Sequence, residues 1–380
     1  MNILRRRSSR WALPAAIVAA TLGIASVSHL VSASAQVPNL PPLTAAELLS
    51  KVASAKVPAF SGTVQLSANL GLPGLGSLGG SVPGSITDLL AGTHSATIAA
   101  DGPSKVKVTM RGQVAESSWI RNGSDAWAWS SSMQTAKHVK MPADGSDNSD
   151  AIPLAGTDSM NPAAMASSML AMVDPTTTVS VRTSAYVAGR AAYELVLIPK
   201  SAASTVGEVV LAIDAATGTP LDARIVAKGQ STPALELGFS SITFATPAPS
   251  TFEFKPAPGV TVSEATSVSD LLPFSVDRHH SGRESKSPDT AKVARAATDT
   301  SATTTIGNYW DSVVIRKDSG LSPQIAQILG AGTGVTLPGG VTAKLVSTAL
   351  VNVMLTSDGR IAVGAVNSQA LQAALSQPTK

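Results

Sequence analysis

Between residues 58 and 256, apolar side chains recur at every second position in short runs set between turn formers, and that spacing suits a strand rather than an amphipathic helix. Val106, Val108 and Met110 fall on one side of such a run, while Lys105, Lys107 and Thr109 fall on the other. The same period returns at Tyr193, Leu195 and Leu197, at Val209, Leu211 and Ile213, and at Leu235, Leu237 and Phe239. One dry and one wet face per strand predicts a curved or barrel-like antiparallel sheet. The turns carry their own chemistry. Asn122-Gly123 separates a run holding Trp119 and Ile120 from one holding Trp127 and Trp129, and supplies the positive φ of a tight hairpin. The stretch 214–220, with Gly218 at its left-handed position, and Asp101-Gly102-Pro103 predict two further reversals.

Two helices are expected to accompany this sheet. Thr44-Ala45-Ala46-Glu47 reads as a capping box, and Leu43 with Leu48 has the spacing of a hydrophobic staple, which predicts a helix over 45–55 with an apolar stripe of Leu48, Leu49 and Val52. Asn161-Pro162 opens a second helix that Asp174-Pro175 ends, with Met165, Met169 and Met172 along one side. From 263 to 304 the chain turns polar and poor in aromatics, as a linker does. Strands are expected at 309–315, 343–355 and 361–366, the last two joined through Asp358-Gly359, with a closing helix over 368–375; together they predict a small α+β lobe.

The N-terminus sets the compartment. Arg5, Arg6, Arg7 and Arg10 precede an uncharged stretch over 11–31 and then Ala33-Ser34-Ala35, the order of a secretory signal cleaved after Ala35. The stretch also approaches the ~20 residues that span a bilayer, so the alternative is an uncleaved anchor. Both put the rest of the chain outside the cytoplasm. The arginine pairs lack the apolar residue that follows a twin-arginine signal.

Signatures of catalysis and of metal or nucleotide binding are weak or absent in the sequence. With no cysteine, there are no disulfides and no thiolate ligands. A net charge of +3 on 14% charged residues, with no basic stripe, argues against nucleic acid. Gly74-Leu75-Gly76-Ser77-Leu78-Gly79 matches a dinucleotide fingerprint, yet Pro73 and Pro83-Gly84 leave no helix to hold a pyrophosphate, and a loop is expected. His94, His138, His279 and His280 are too scattered for a metal site, and no G-x-S-x-G elbow marks a nucleophile. Asn122-Gly123-Ser124 fits a glycosylation sequon, which the turn reading explains without it. The expectation is a chain with no catalytic residue, no metal and no cofactor. Its positive signal is apolar: Trp127 and Trp129, the Val106/Val108/Met110 side, Tyr193 and Leu195, the Leu48/Leu49/Val52 stripe and the methionine helix are candidates to line one cavity, since thioethers adapt to ligands of varied shape. An ordinary filled core would use the same residues, and pattern alone does not separate the two.

The order of motifs resembles the LolA-like lipoprotein-carrier superfamily, and more closely its actinobacterial branch related to the N-terminal domains of MucB/RseB regulators. The resemblance rests on Thr44-Ala45-Ala46-Glu47-Leu48-Leu49, on 61–72, on Ile120-Arg121-Asn122-Gly123 with Asp125-Ala126-Trp127, and on Asp174-Pro175-Thr176-Thr177. It continues through 187–197, Asp214 with 217–221, Phe252-Glu253-Phe254 before Pro256, and the tail 355–366. What it implies is a mainly β fold: a strongly curved antiparallel half-barrel sheet over 36–262 with helices covering its concave face, followed by the linker and the lobe at 305–380. It also implies an acyl lipid or lipoprotein as partner, held by a monomer in the cell envelope, secreted or periplasmic. The alternative it implies is an envelope-stress sensor that binds a membrane protein. Minimal carriers lack the linker and second lobe, which leaves the cargo open.

Overall fold

A threonine hydroxyl and a glutamate carboxylate close the first turn of the first helix. In the computed structural model, which describes residues 39–71, 92–112, 115–141, 175–265, 271, 303–317 and 328–377, helix α1 (Ala45–Ser54) starts at Thr44. Thr44 Oγ1 accepts from the Glu47 amide at 3.2 Å, and Glu47 Oε2 accepts from the Thr44 amide at 2.7 Å. Two of the unpaired amides at the helix start are thereby satisfied. Thr44→Ala removes the acceptor of the Glu47 amide, and urea unfolding should show a loss of about 1 kcal/mol.

The chain divides into two units, Met1–Lys200 with Val206–Phe274, and Ser201–Thr205 with Ser275–Lys380. The first unit holds one sheet of twelve strands: β1 (Phe60–Ala68), β2 (Gly92–Ala100), β3 (Lys105–Arg111), β4 (Glu116–Asn122), β5 (Asp125–Ser130), β6 (Thr135–Lys140), β7 (Thr177–Val187), β8 (Arg190–Pro199), β9 (Val206–Asp214), β10 (Pro220–Ala227), β11 (Pro233–Thr243) and β12 (Thr261–Glu264). Their order is β12-β6-β5-β4-β3-β2-β1-β11-β10-β9-β8-β7. Every pair is antiparallel except β12 on β6, which makes the sheet mixed, and its edge strands β12 and β7 leave it open. Bulges interrupt the ladders at Thr63/Val64, Arg182/Ala185, Pro220/Asp222 and Ile225/Val226, where an extra residue bends a strand and increases its twist.

The expected reversals are present at Gly102, Gly123 and Gly218, each with positive φ. At the second of these the detail differs: Asn122 pairs with Asp125 and stays in the ladder, so Gly123 and Ser124 make the two-residue turn. Gly at the first central position, with φ of 64°, is what a type II′ hairpin requires. A further hairpin, between β7 and β8, turns at Ala188 and Gly189 with φ of 50° and 76°, placing an alanine where glycine or asparagine is favoured.

Regular alternation of buried and less buried residues holds on β1 from Thr63 to Ala68 but not on β8 and β9. Tyr193, Leu195, Leu211 and Ile213 are buried on one face under Leu48 and Leu49 of α1. Ala192 and Ala212 are buried on the other face in a second cluster with Leu221, flanked by Val187, Phe239 and Ile242. Strands covered on both sides show no wet face. On β3, likewise, Thr109 is buried, its hydroxyl 3.0 Å from that of Ser118.

The second unit contains a sheet ordered β13-β14-β18-β17-β16-β15, made of β13 (Thr304–Ile306), β14 (Val313–Lys317), β15 (Thr333–Thr336), β16 (Thr342–Ser347), β17 (Asn352–Thr356) and β18 (Arg360–Gly364), with helix α2 (Ser368–Leu375). Leu371, Ala374 and Leu375 of α2 pack with Val313, Ile315, Met354 and Ala362. Two expectations are corrected. Residues 309–311 form a 3-10 turn before β14, and the run 343–355 is broken into β16 and β17 by a turn that the Thr348 hydroxyl closes, donating to the Val351 carbonyl and accepting from the Val351 amide, both at 2.8 Å. The signal at 1–35, the Gly74–Gly79 motif, the methionine helix at 162–174 and most of the stretch expected as linker lie outside the described residues. The start of that stretch is not linker-like, because Ser263 and Glu264 complete β12. Among the described residues no helix is long and apolar enough to cross a membrane.

Candidate functional site

Pairing register, followed strand by strand, shows which side chains share a face. Leu195 faces Leu211, Leu211 faces Ala223, Ala223 faces Leu237, and Leu237 faces Leu66. Next to Leu66 on the same side of β1, Val64 faces Ala96, which in turn faces Met110. Side chains two residues apart share a face, so Tyr193, Leu195, Val106, Val108 and Met110 all belong to one continuous side of the sheet. Among the paired positions from β8 to β3, His94, opposite Leu66, and the Tyr193 hydroxyl bring the polar groups to this side. Leu66 is fully buried there, and Val106, Val108 and Met110 are each at most 5% exposed.

Helix α1 covers one end of this face. Leu48 and Leu49 are buried against β8 and β9, Val52 is partly buried beside them, and the Tyr193 hydroxyl donates to the Pro41 carbonyl at 2.9 Å. Neighbouring strands lie about 4.8 Å apart, so the six steps from β8 to β3 cover roughly 29 Å of sheet. A single helix cannot shield both ends. The α1 stripe and the Val106/Val108/Met110 group therefore belong to one face but not to one contact.

Trp127 and Trp129 do not join them. Trp127 pairs with Ile120, which pairs with Lys107, and Trp129 pairs with Ser118, which pairs with Thr109; both tryptophans thus stand on the side away from Val106, Val108 and Met110. Trp119 is the tryptophan on the apolar side, with its indole N–H donating to the Leu271 carbonyl at 2.9 Å. The expected single cavity lined by all of these residues is corrected to that extent, and Met165, Met169 and Met172 lie outside the described residues.

What the two tryptophans serve instead is polar. The Trp127 ring stacks on His138 with centroids 4.1 Å apart, and both indoles lie against Phe254. His138 Nε2 is 2.8 Å from Asp125 Oδ1, its Nδ1 is 3.0 Å from the Glu264 carboxylate, and Lys140 Nζ reaches Asp125 at 2.7 Å. Hydrogen bonds from Lys140 and then from His138 hold the Asp125 carboxyl below the usual carboxylate range. In the sequence His138 looks isolated, because its two carboxylate partners are 13 and 126 residues away. Among the described residues no group of His, Asp or Glu is arranged to hold a metal ion.

No family model and no curated protein matches the sequence. Solved structures do resemble it. The complex of MucA and MucB from Pseudomonas aeruginosa aligns over 86% of this chain and 95% of its own, at 15% identity and a TM-score of 0.33. An uncharacterized conserved protein from Thermus thermophilus aligns over 58% of this chain and 98% of its own, at 10% identity and a TM-score of 0.32. A LolA superfamily protein from Nitrosomonas europaea aligns over 56% and 99%, at 10% identity and a TM-score of 0.23. These likenesses concern fold alone, and ligands do not pass across them.

Proposed function

We propose that this chain is an extracytoplasmic lipid- or lipoprotein-binding protein that shields acyl chains against the apolar side of its twelve-stranded sheet, working as a carrier or chaperone without catalysis or cofactor. The observation that carries this reading is the run of apolar side chains along one side of the sheet from β8 to β3, interrupted by His94, with α1 packed at the β8 end. Burying hydrocarbon on such a surface contributes about 0.8 kcal/mol per CH₂. One long acyl chain then supplies micromolar affinity after the costs of association, with no specific polar contact. The export-type N-terminus supports action outside the cytoplasm.

Native mass spectrometry of protein purified from its own host should find a lipid mass bound, and a fluorescent fatty acid should be protected from water on mixing. Met110→Gln keeps the side-chain volume but puts an amide on the apolar side, and should weaken probe binding about tenfold. Trp127→Phe, on the opposite side, should leave it unchanged. Absence of both co-purified lipid and probe binding would overturn the reading.

A further inference from the structure

The polar side of the same sheet holds a cavity of about 260 Å³. Register aligns its floor: Gln65 of β1 faces Gly238 of β11, which faces Asp222 of β10, and one pair along Ser67 faces Glu236, which faces Arg224. The β7–β8 turn, with Tyr186, borders it.

Asp222 is only 7% exposed, and its Oδ2 is buried without a hydrogen bond. Arg224 Nε stands 3.4 Å from that oxygen, but the Arg224 guanidinium is engaged through Nη2 with Glu194, and no aligned N–H reaches Oδ2. The carboxylate is seated over a glycine: a Cβ at Gly238 would stand 2.4 Å from Asp222 Oδ1 and 3.1 Å from its Cβ, so any other residue displaces it. Three carboxyl groups, Asp222, Glu194 and Glu236, thus share one guanidinium, and Asp222, with one oxygen ion-paired to Arg224 but not hydrogen-bonded, is among the residues that line the cavity.

We propose that this cavity binds an organic cation, a primary ammonium or a guanidinium, with Asp222 and Glu236 as its counter-ions. A cation adds positive charge beside the Asp222 and Glu236 carboxylates, which a neutral or anionic ligand does not. The volume lies below the range of drug-sized pockets and suits one side-chain-sized group. The shared chemistry has two sources, a free small amine or a lysine or arginine presented by another protein. Acyl binding concerns the opposite face of the sheet, so the two readings stand or fall separately.

Burial pushes the Asp222 carboxyl up to about 7; Arg224 opposes this, while Glu236 and Glu194 add to it. Beyond these, Arg182 of β7 stands opposite Glu194 and is paired with Glu208, and the β1 and β9 positions facing the site, Gln65, Ser67 and Ala212, carry no charge. Cation affinity should therefore fall as pH drops through 7.

The test is calorimetric titration of the full chain at pH 8 and pH 6 with n-butylammonium, ethylguanidinium, n-butanol as uncharged control, and a blocked Gly/Ser pentapeptide carrying a single lysine or arginine. Saturable binding of the cations and not of butanol, weaker at pH 6, is expected. Asp222→Asn should reduce it at least tenfold and Glu236→Gln several-fold. A peptide that binds more tightly than the free amine assigns the site to a protein partner, and the reverse order assigns it to a small amine. No saturable cation binding at millimolar concentrations overturns the proposal, as does binding that Glu236→Gln leaves unchanged, a variant at the cavity wall that serves even if Asp222→Asn fails to fold.

Discussion

Arg190→Ala should cost about 3 kcal/mol of folding free energy and move acid unfolding to higher pH. Asp214 is 1% exposed, at the end of β9, and Arg190 of β8 forks onto both of its oxygens. Asp214 Oδ1 also accepts from the Ala216 amide at 3.0 Å, the Thr217 amide at 2.7 Å and the Thr217 hydroxyl at 2.9 Å, which ties the β9–β10 turn together. Burial alone would push this carboxyl up; the hydrogen bonds from Arg190 and Thr217 outweigh it and leave the carboxyl below its ordinary value. Removing one partner of a buried pair typically costs about 3–5 kcal/mol, and the low end applies because the turn donors remain. A carboxyl lowered on folding adds stability that is complete above its unfolded value near ~4 and is lost as pH falls through the lower folded value. Urea unfolding at pH 7 and at pH 3 checks this: Asp214→Asn should be less stable than the parent at pH 7, with a smaller loss on going to pH 3. Equal pH dependence in the two proteins would contradict the assignment.

Leu48→Ala should be the other large effect, about 3 kcal/mol, read as a fall in the urea midpoint at unchanged slope. Leu48 is fully buried and Leu49 is 1% exposed, and both press on Tyr193, Leu195, Leu211 and Ile213. Alanine at position 48 loses those contacts and leaves a void that a sheet braced by neighbouring strands closes poorly. Lys51→Ala, on the same helix and only partly buried, is the control for helix propensity and should change stability by less than ~0.5 kcal/mol.

Local chemistry was the legible part. Thr44 and Glu47 are three residues apart, so the capping box needs nothing from the rest of the chain. The reversals at Gly102, Gly218 and Gly359 are likewise decided by a few adjacent residues whose φ only glycine adopts freely. The Asp222 site was not legible, because its members come from β1, β8, β10 and β11, and the missing hydrogen bond is a property of their packing.

Strand period determined that Val106, Val108 and Met110 share a side, as do Trp127 and Trp129, since alternation is built into every extended backbone. Whether the two groups share the same side was decided only by tertiary structure. The turn between β3 and β4 pairs Arg111 with Glu116 and so carries Val108 to Trp119, leaving Trp127 and Trp129 on the far side; a slip of one residue there would have put them beside Met110. Register depends on turn geometry and on what each face is packed against, and neither is encoded within a single strand.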